Sequence, residues 1–409
     1  MKKANLVSIP TLVESPFIIL TVGGHTFGSY SGDNISNVEY PNYMKGMSID
    51  KINGTVNTYT INISYQVGIG EDPNVLDRIF SKATNDRKFT LKYGDWCAPK
   101  QIYKEETGVI TNITTQLNLQ SGSIDYVIEC VSDAIGLTAE THDFPGVTDT
   151  GSNVLKNLLS NQRYGLQSVF TGMQNINTVI SNNLIASNDK TIKLMPQNNM
   201  TVLEYMTYVV GSMTSSSYTD TSKLPESNYY LTIHDDINNQ YGGTYFKVTE
   251  VSANTNATTA IDTYEIDVNY PGDNFVTGFT VSNSQSWAIL YEYAGKVNQQ
   301  KYSYKINNEG QLVTTYAPSL VKSQLSGELS DTKNQWWSRM TRFPIEVTLT
   351  IKGLTRPSIL MTYVKLNVWF NGGFKHISSG LYVITKQTDQ LDSSGYKTTL
   401  TLLRVGGDE

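Results

Sequence analysis

The stretch Ile345-Glu-Val-Thr-Leu-Thr-Ile-Lys352 decides the fold class. Ile345, Val347, Leu349 and Ile351 alternate with Glu346, Thr348, Thr350 and Lys352, the period of two that gives a strand one core face and one wet face. The pattern returns downstream. Val364, Leu366, Val368 and Phe370 alternate with Lys365, Asn367 and Trp369, and the run ends at Asn371-Gly372-Gly373, residues that tolerate positive φ and predict a hairpin turn. Two further runs, Leu381 to Thr388 and Tyr396 to Arg404, flank Asp392-Ser393-Ser394-Gly395, where side-chain oxygens and a glycine favour a tight reversal. Four antiparallel strands are predicted between Phe343 and Val405, and no catalytic motif lies among them.

Upstream, residues 226 to 318 show further β patterning, in Tyr229 to Ile233, Tyr245 to Val251, Tyr264 to Val268, Val276 to Val281 and Trp287 to Tyr293. Ser319 to Arg342 allows a helix, but Gly327 weakens it, and a linking arm is the other reading. Residues 146 to 225 carry helical signals. Ser152 can cap a helix bearing Val154, Leu155, Leu158 and Leu159 on one face. Thr201 and Glu204 form a capping box ahead of Val202, Leu203, Met206, Val209, Val210 and Met213. Residues 1 to 145 read as strands, Phe17 to Val22, Tyr59 to Val67, Phe89 to Tyr93, Gly108 to Leu119 and Ile124 to Val131. One helix interrupts them, with Asp72 as N-cap, Pro73 at N1 and a stripe of Val75, Leu76, Ile79, Phe80 and Ala83. No fixed-period repeat is present.

Size and composition set limits. At 409 residues the chain suggests two to four domains. A net charge of −6 without a Lys/Arg cluster argues against a surface that coats nucleic acid. Cys97 and Cys130 are too few for a disulfide framework, which favours synthesis with reduced thiols. Residues after Met1-Lys2-Lys3 lack the apolar core of a signal peptide, and no apolar run approaches membrane-spanning length, so a soluble protein without stable membrane insertion is expected.

Candidate chemistry is thin, and no catalytic, cofactor-binding or metal-ligating residue is assigned. Gly68-Ile69-Gly70 lies between a strand and a helix, but Pro73 takes the third glycine position and no Lys-Ser/Thr pair follows. Gly28-Ser29-Tyr30-Ser31-Gly32 has tyrosine where a nucleophile elbow needs serine. His25, His142, His234 and His376 have no zinc spacing. His234-Asp235-Asp236 is ligand-like, but acidic residues after a strand are expected of a solvated loop. Glu265 and Asp267 sit two apart on one strand face, a spacing that is uninformative for glycoside hydrolysis. Trp336-Trp337 and the 26 tyrosines suit either a subunit interface or a sugar-stacking platform.

The order Phe343-Pro344-Ile-Glu-Val-Thr-Leu-Thr-Ile-Lys-Gly353, a Val-rich strand, Ser379-Gly380-Leu-Tyr-Val-Ile-Thr385 and Gly395-Tyr-Lys-Thr-Thr-Leu-Thr-Leu-Leu-Arg404 resembles the end of tailed-phage baseplate hub proteins. Tyr270-Pro-Gly-Asp-Asn-Phe-Val-Thr-Gly-Phe-Thr-Val281 is similar to another part of them. The resemblance covers roughly the second half of the chain. It implies a mostly β fold with short helices: two tube-like antiparallel β-barrel domains, a helix-containing insert and a peripheral β domain. The N-terminal barrel is expected over 1–145, the helix-containing insert over 146–225, a second β region with a peripheral or linking segment over 226–340, and the antiparallel strands that complete the second barrel over 341–409. It also implies a non-enzymatic virion protein, assembled in the host cytoplasm. That protein would be a homotrimer adapting a hexameric tail tube to a central spike or tip, with the tube or distal tube, the spike and a tape measure protein as partners and no sequence-specific nucleic acid. The alternative is a carbohydrate-binding tail-tip module using Trp336 and Trp337.

Overall fold

In the computed structural model the described residues are 16–29, 38–82, 87–95, 102–160, 191–213, 227–238, 243–252, 260–267, 276–283, 301–306, 312–317, 345–353, 360–370, 373–376 and 378–406. Trp336, Trp337, Cys97, Trp287 to Tyr293 and Ser319 to Arg342 lie outside them. The chain is mostly β with a few short helices, as its alternation predicts.

The N-terminal part contains β1 (Pro16–Val22), β2 (His25–Gly28), β3 (Tyr40–Pro41), β4 (Met44–Ile52), β5 (Thr58–Gln66), helix α1 (Val75–Lys82), β6 (Lys88–Asp95), β7 (Ile102–Asn118) and β8 (Ser123–Val131). They pair in the order β4-β5-β8-β7-β6-β1-β2-β3, antiparallel except for the short parallel β2–β3 contact. Every second residue points inward. Met47 and Ile49, Ile61 and Ile63, Leu91, Leu20 and Ile128 share one core with Leu76, Ile79 and Phe80 of α1. Val75, Leu76, Ile79 and Phe80 of the predicted stripe pack on this core, Ala83 lies outside the described residues, and the helix starts at Val75, later than Pro73. Asp72 Oδ1 accepts from the Asn74 backbone N–H at 2.9 Å, a local turn that uses the expected cap before the helix begins. β7 is longer than its apolar pattern predicts, because Ile102–Val109 pairs with β6 while Val109–Asn118 pairs with β8.

The middle part holds a 3₁₀ turn (Asp133–Thr138), β9 (Thr141–Phe144), β10 (Val147–Thr150), α2 (Gly151–Ser160), β11 (Thr191–Leu194), β12 (Gln197–Thr201), α3 (Val202–Ser212), β13 (Ser227–His234) and β14 (Tyr245–Ser252). The capping box forms as predicted. Thr201 Oγ1 accepts from the Glu204 N–H at 3.2 Å, and Glu204 Oε2 accepts from the Thr201 N–H at 2.8 Å. α2 begins one residue before Ser152, which is buried within its first turn. Leu155 and Leu158 of α2, Leu203, Met206 and Val210 of α3, and Leu231, Ile233 and Phe246 of the β13–β14 hairpin fill a common core.

The C-terminal part comprises β15 (Asp262–Asp267), β16 (Val276–Asn283), β17 (Lys301–Ile306), β18 (Leu312–Ala317), β19 (Ile345–Lys352), β20 (Tyr363–Phe370), β21 (Phe374–Lys375), β22 (Gly380–Asp392) and β23 (Gly395–Gly406). The four predicted antiparallel strands assemble in the order β19-β23-β22-β20. Their inward residues Val347, Leu349, Leu366, Ile384, Leu400 and Leu402 form a core of their own. Asp392 Oδ1 accepts from the Ser394 N–H at 2.7 Å and Gly395 has φ +113°, which makes the predicted reversal. Phe370 departs from its expected core place and is 40% exposed, at the strand end where the hairpin turns into β21. β15 joins β20 in parallel, and β17 and β18 pair apart from the main sheet.

β22 connects the two ends of the chain. Its first residues pair with β20, while Lys386 to Leu391 pair with β4. Among the described residues the two strand groups are therefore one sheet of fifteen strands over two separate cores, and Leu391 and Tyr396 cross into the N-terminal core. No helix among the described residues is long and apolar enough to cross a membrane.

Candidate functional site

Where β22 meets the N-terminal strands, the inward faces carry charge instead of methyl groups. Lys51 follows Met47 and Ile49 on β4, Lys104 and Glu106 precede Ile110 on β7, and Asp389 precedes Leu391 on β22. All four side chains are at most 2% exposed. Lys104 Nζ donates to Asp389 Oδ2 at 2.7 Å. Lys51 Nζ pairs with Glu106 Oε1. Asp389 also accepts from Thr398 Oγ1 at 2.6 Å, Gln387 Nε2 at 2.8 Å and the Tyr396 hydroxyl at 3.2 Å. Glu106 accepts from the Tyr93 hydroxyl at 2.9 Å. Buried charges persist when they are paired and hydrogen-bonded in this way.

A third carboxylate joins from the middle part. β13 ends beside β7, where the Thr107 N–H donates to the Asp235 carbonyl and the Ile237 N–H to the Glu105 carbonyl. This brings Asp235 inward at 1% exposure. Its carboxylate accepts from Ser132 Oγ and Thr244 Oγ1, each at 2.6 Å, and from Asn57 Nδ2 at 2.7 Å. The Tyr59 hydroxyl lies 2.9 Å from Asp235 and 3.0 Å from Glu106. One phenol carries one proton, so a bridge to two carboxylates calls for a proton on one of them. Burial pushes the Asp235 carboxyl up, against the pull of its hydroxyl and amide donors. A neutral Asp235 also leaves two ammonium groups facing two carboxylates.

The remaining electrostatics follow from the same enclosure. Burial alone would raise the Asp389 carboxyl, but the ammonium groups of Lys104 and Lys51 outweigh it and hold the group below its ordinary range. Burial would lower the Lys51 ammonium, yet Glu106, Asp389 and Asp235 together hold it up. Lys104 is lowered by burial, with the Lys51 ammonium adding to it, against the pull of Asp389 and Glu106. Burial pushes Tyr59, Tyr93 and Tyr396 well up. Apart from the Asn57 Oδ1, which accepts no hydrogen bond among the described residues, the donors and acceptors of the network are used largely on one another and closed to solvent. Such a cluster fixes the register of three chain regions and presents no group to a substrate.

No protein-family model matches the sequence, and no curated protein matches it either. Solved structures do match. The tail protein of Neisseria meningitidis MC58 superposes with a TM-score of 0.53 at 11% identity, over 95% of this chain and 97% of that one. The 43 kDa tail protein of prophage MuSo2 from Shewanella oneidensis gives 0.50 at 11% identity, over 96% and 97%. The chain has the fold of these tail proteins.

In this tail-protein fold the residues singled out from sequence do not converge. The Gly68 N–H already donates to Glu71 Oε2 at 2.9 Å, so a carboxylate stands where a phosphate would. Gly28 packs under Val38, whose Cγ1 would lie 2.9 Å from an added Cβ, and Ser29 Oγ accepts from the Ile18 N–H at 3.0 Å. Tyr30, Ser31 and Gly32 lie outside the described residues. His25 pairs with Glu39 at 2.8 Å, His376 contacts Ser378 Oγ at 2.7 Å, and His142 lies 6.1 Å from Phe144, ring to ring. Glu265 accepts from Asn367 Nδ2 at 2.6 Å and Trp369 Nε1 at 2.7 Å, cross-linking β15 to β20. Among the described residues no group of three metal-ligating side chains is arranged to hold a metal ion.

One sequence reading is corrected outright. His234-Asp235-Asp236 was expected in a solvated loop, whereas His234 and Asp235 are buried because backbone pairing to β7 draws them under the sheet. Lys51, Lys104, Glu106 and Asp389 were missed altogether. The signal that could have found them is parity, since each charge falls on the same alternating face as the apolar residues of its strand.

Proposed function

We propose that this chain is a structural virion protein, the baseplate hub of a phage or phage-derived tail, which forms a trimeric ring between a hexameric tail tube and a central spike or tip. The observation that carries this reading is a pair of separately cored strand groups within one chain, welded through β22, in a fold that aligns end to end with two tail proteins. Three copies with two strand groups each would offer six similar units to a sixfold tube, because a heterologous interface that closes at three makes a ring.

On this reading residues 1–145 supply one unit and 226–409 the other together with a peripheral or linking segment, while 146–225 is a helix-containing insert. The tube or distal tube protein, the spike and a tape measure protein are the partners, the virion tail is the location, and no catalysis is involved. A net charge of −6 suits a lumen through which DNA slides without sticking. The test is light scattering with negative-stain imaging of the purified chain. A threefold ring with a central hole supports the proposal, and a strict monomer at all accessible concentrations overturns it.

A further inference from the structure

Beside the strand β3, the side chains of Tyr40, Tyr43 and Tyr65 line a hollow of about 250 Å³, completed by Glu71, Asp72 and the first turn of α1. Tyr43 and Tyr65 stack with ring centroids 5.5 Å apart, and Tyr40 meets Tyr43 edge-on at 5.6 Å. Tyr40 is backed by Phe27, stacked at 5.0 Å, so the aromatic wall is braced from within the core. Glu71 is held at its Oε2 by the Tyr65 hydroxyl at 3.1 Å and the Gly68 N–H at 2.9 Å. Its Oε1 has no hydrogen-bond donor among the described residues. Asp72 is matched by Arg78 at 2.8 Å, and among the described residues no lysine, arginine or histidine lines the hollow.

We infer that this hollow is a docking site for an arginine or lysine side chain of a partner protein, its cationic head lodged between the tyrosine wall and the free oxygen of Glu71. The chemistry is complementary on both sides. Aromatic rings attract a cation through their quadrupole, and a fixed carboxylate adds a charge-assisted hydrogen bond. Burial and the Glu71 carboxylate push the Tyr43 hydroxyl up, as expected beside uncompensated negative charge. A sugar fits less well. The two carboxylates only accept hydrogen bonds, leaving sugar ring oxygens without amide or basic donors. Ile69, fully exposed on the same loop as Glu71, offers apolar contact to the chain that carries the cation. This inference stands on the hollow itself and holds whatever the oligomeric state.

The test is an NMR titration of the full chain, labelled in its tyrosine rings, with acetyl-Gly-Arg-Gly-amide, acetyl-Gly-Gln-Gly-amide and methyl glucoside. Saturable shifts of Tyr43 and Tyr65 are expected from the arginine peptide alone. Tyr43→Leu and Glu71→Gln should each weaken it about five-fold or more, while Tyr43→Phe retains it. Glu71→Gln keeps the acceptor for Tyr65 and Gly68, so it reports on charge even where Tyr43→Leu disturbs folding. An arginine peptide that gives no saturable shift, equal binding by Glu71→Gln, or binding of methyl glucoside in its place overturns the inference.

Discussion

Asp389→Ala tests the buried network most directly. The substitution leaves the Lys104 ammonium, 1% exposed, without the carboxylate now 2.7 Å away. Breaking one side of a buried pair costs about 3–5 kcal/mol. Thr398, Gln387 and Tyr396 lose an acceptor as well, each worth about 1–3 kcal/mol when left unmet. Members of one network do not add, so we expect a total of about 5 kcal/mol. At a urea slope of about 3 kcal/mol per molar the unfolding midpoint should fall by roughly 1.7 M. Removing both charges is different: Lys104→Met with Asp389→Leu should recover most of the loss, since apolar replacement of a buried pair is neutral or favourable by about 1–4 kcal/mol. Asp235→Asn should cost less than about 1 kcal/mol, because an amide mimics the neutral carboxyl that burial favours there. Urea titrations followed by circular dichroism and tyrosine fluorescence measure all three. A single variant shifted by under about 0.3 M, or a double variant as unstable as the single, would refute the reasoning.

Two further outcomes are expected. The His234 ring is buried, contacts Thr232 Oγ1 at 2.8 Å and stacks on Tyr245; burial, with Lys247 and Lys51 nearby, pushes it down to about 3. The unfolded chain takes up the proton first, so stability is held above about pH 6.5 and falls as pH drops from there toward 3, by about 1.4 kcal/mol per pH unit. His234→Gln should flatten that slope in acid-denaturation curves, and an unchanged slope would place the dependence elsewhere. At Gly108, where β7 changes partners, an added Cβ would lie 2.2 Å from the Val131 carbonyl oxygen and 2.8 Å from the Phe89 ring. Gly108→Ala should cost about 3 kcal/mol or more, whereas Gly122→Ala, with φ +67° and open space, should cost only about 1 kcal/mol; equal thermal shifts for the two would contradict the packing.

The elements legible from sequence were those whose local signals agree. β19 and β23 alternate cleanly, the Asp392 to Gly395 reversal combines a hydrogen-bonding side chain with a glycine, and Thr201 with Glu204 closes a box that needs no tertiary partner. The network was illegible for the opposite reason. Lys-Glu-Glu at 104–106 reads as solvated surface, and only the partners supplied by β4 and β22, far away in sequence, make burial of Lys104 and Glu106 tolerable. The pairing of β22 with β4 had no local trace either, because alternation reveals which face is apolar but not which strand lies alongside. Asp235 misled for a related cause: acidic residues after a strand usually turn outward, and here the backbone of β7 holds them in.

The threading of β22 has a consequence for biogenesis. Asp50 and Thr388, partners across β4 and β22, are 338 residues apart, an interval that a ribosome crosses in roughly twenty seconds to a minute. Until then the earliest strands wait with Lys104 lacking its carboxylate and an unpaired edge on β4. Maturation of the first-made portion is thus timed by the arrival of the late-made one, and a nascent polypeptide stalled short of Asp389 should be held by chaperones or degraded instead of becoming a half-built competitor for its neighbours.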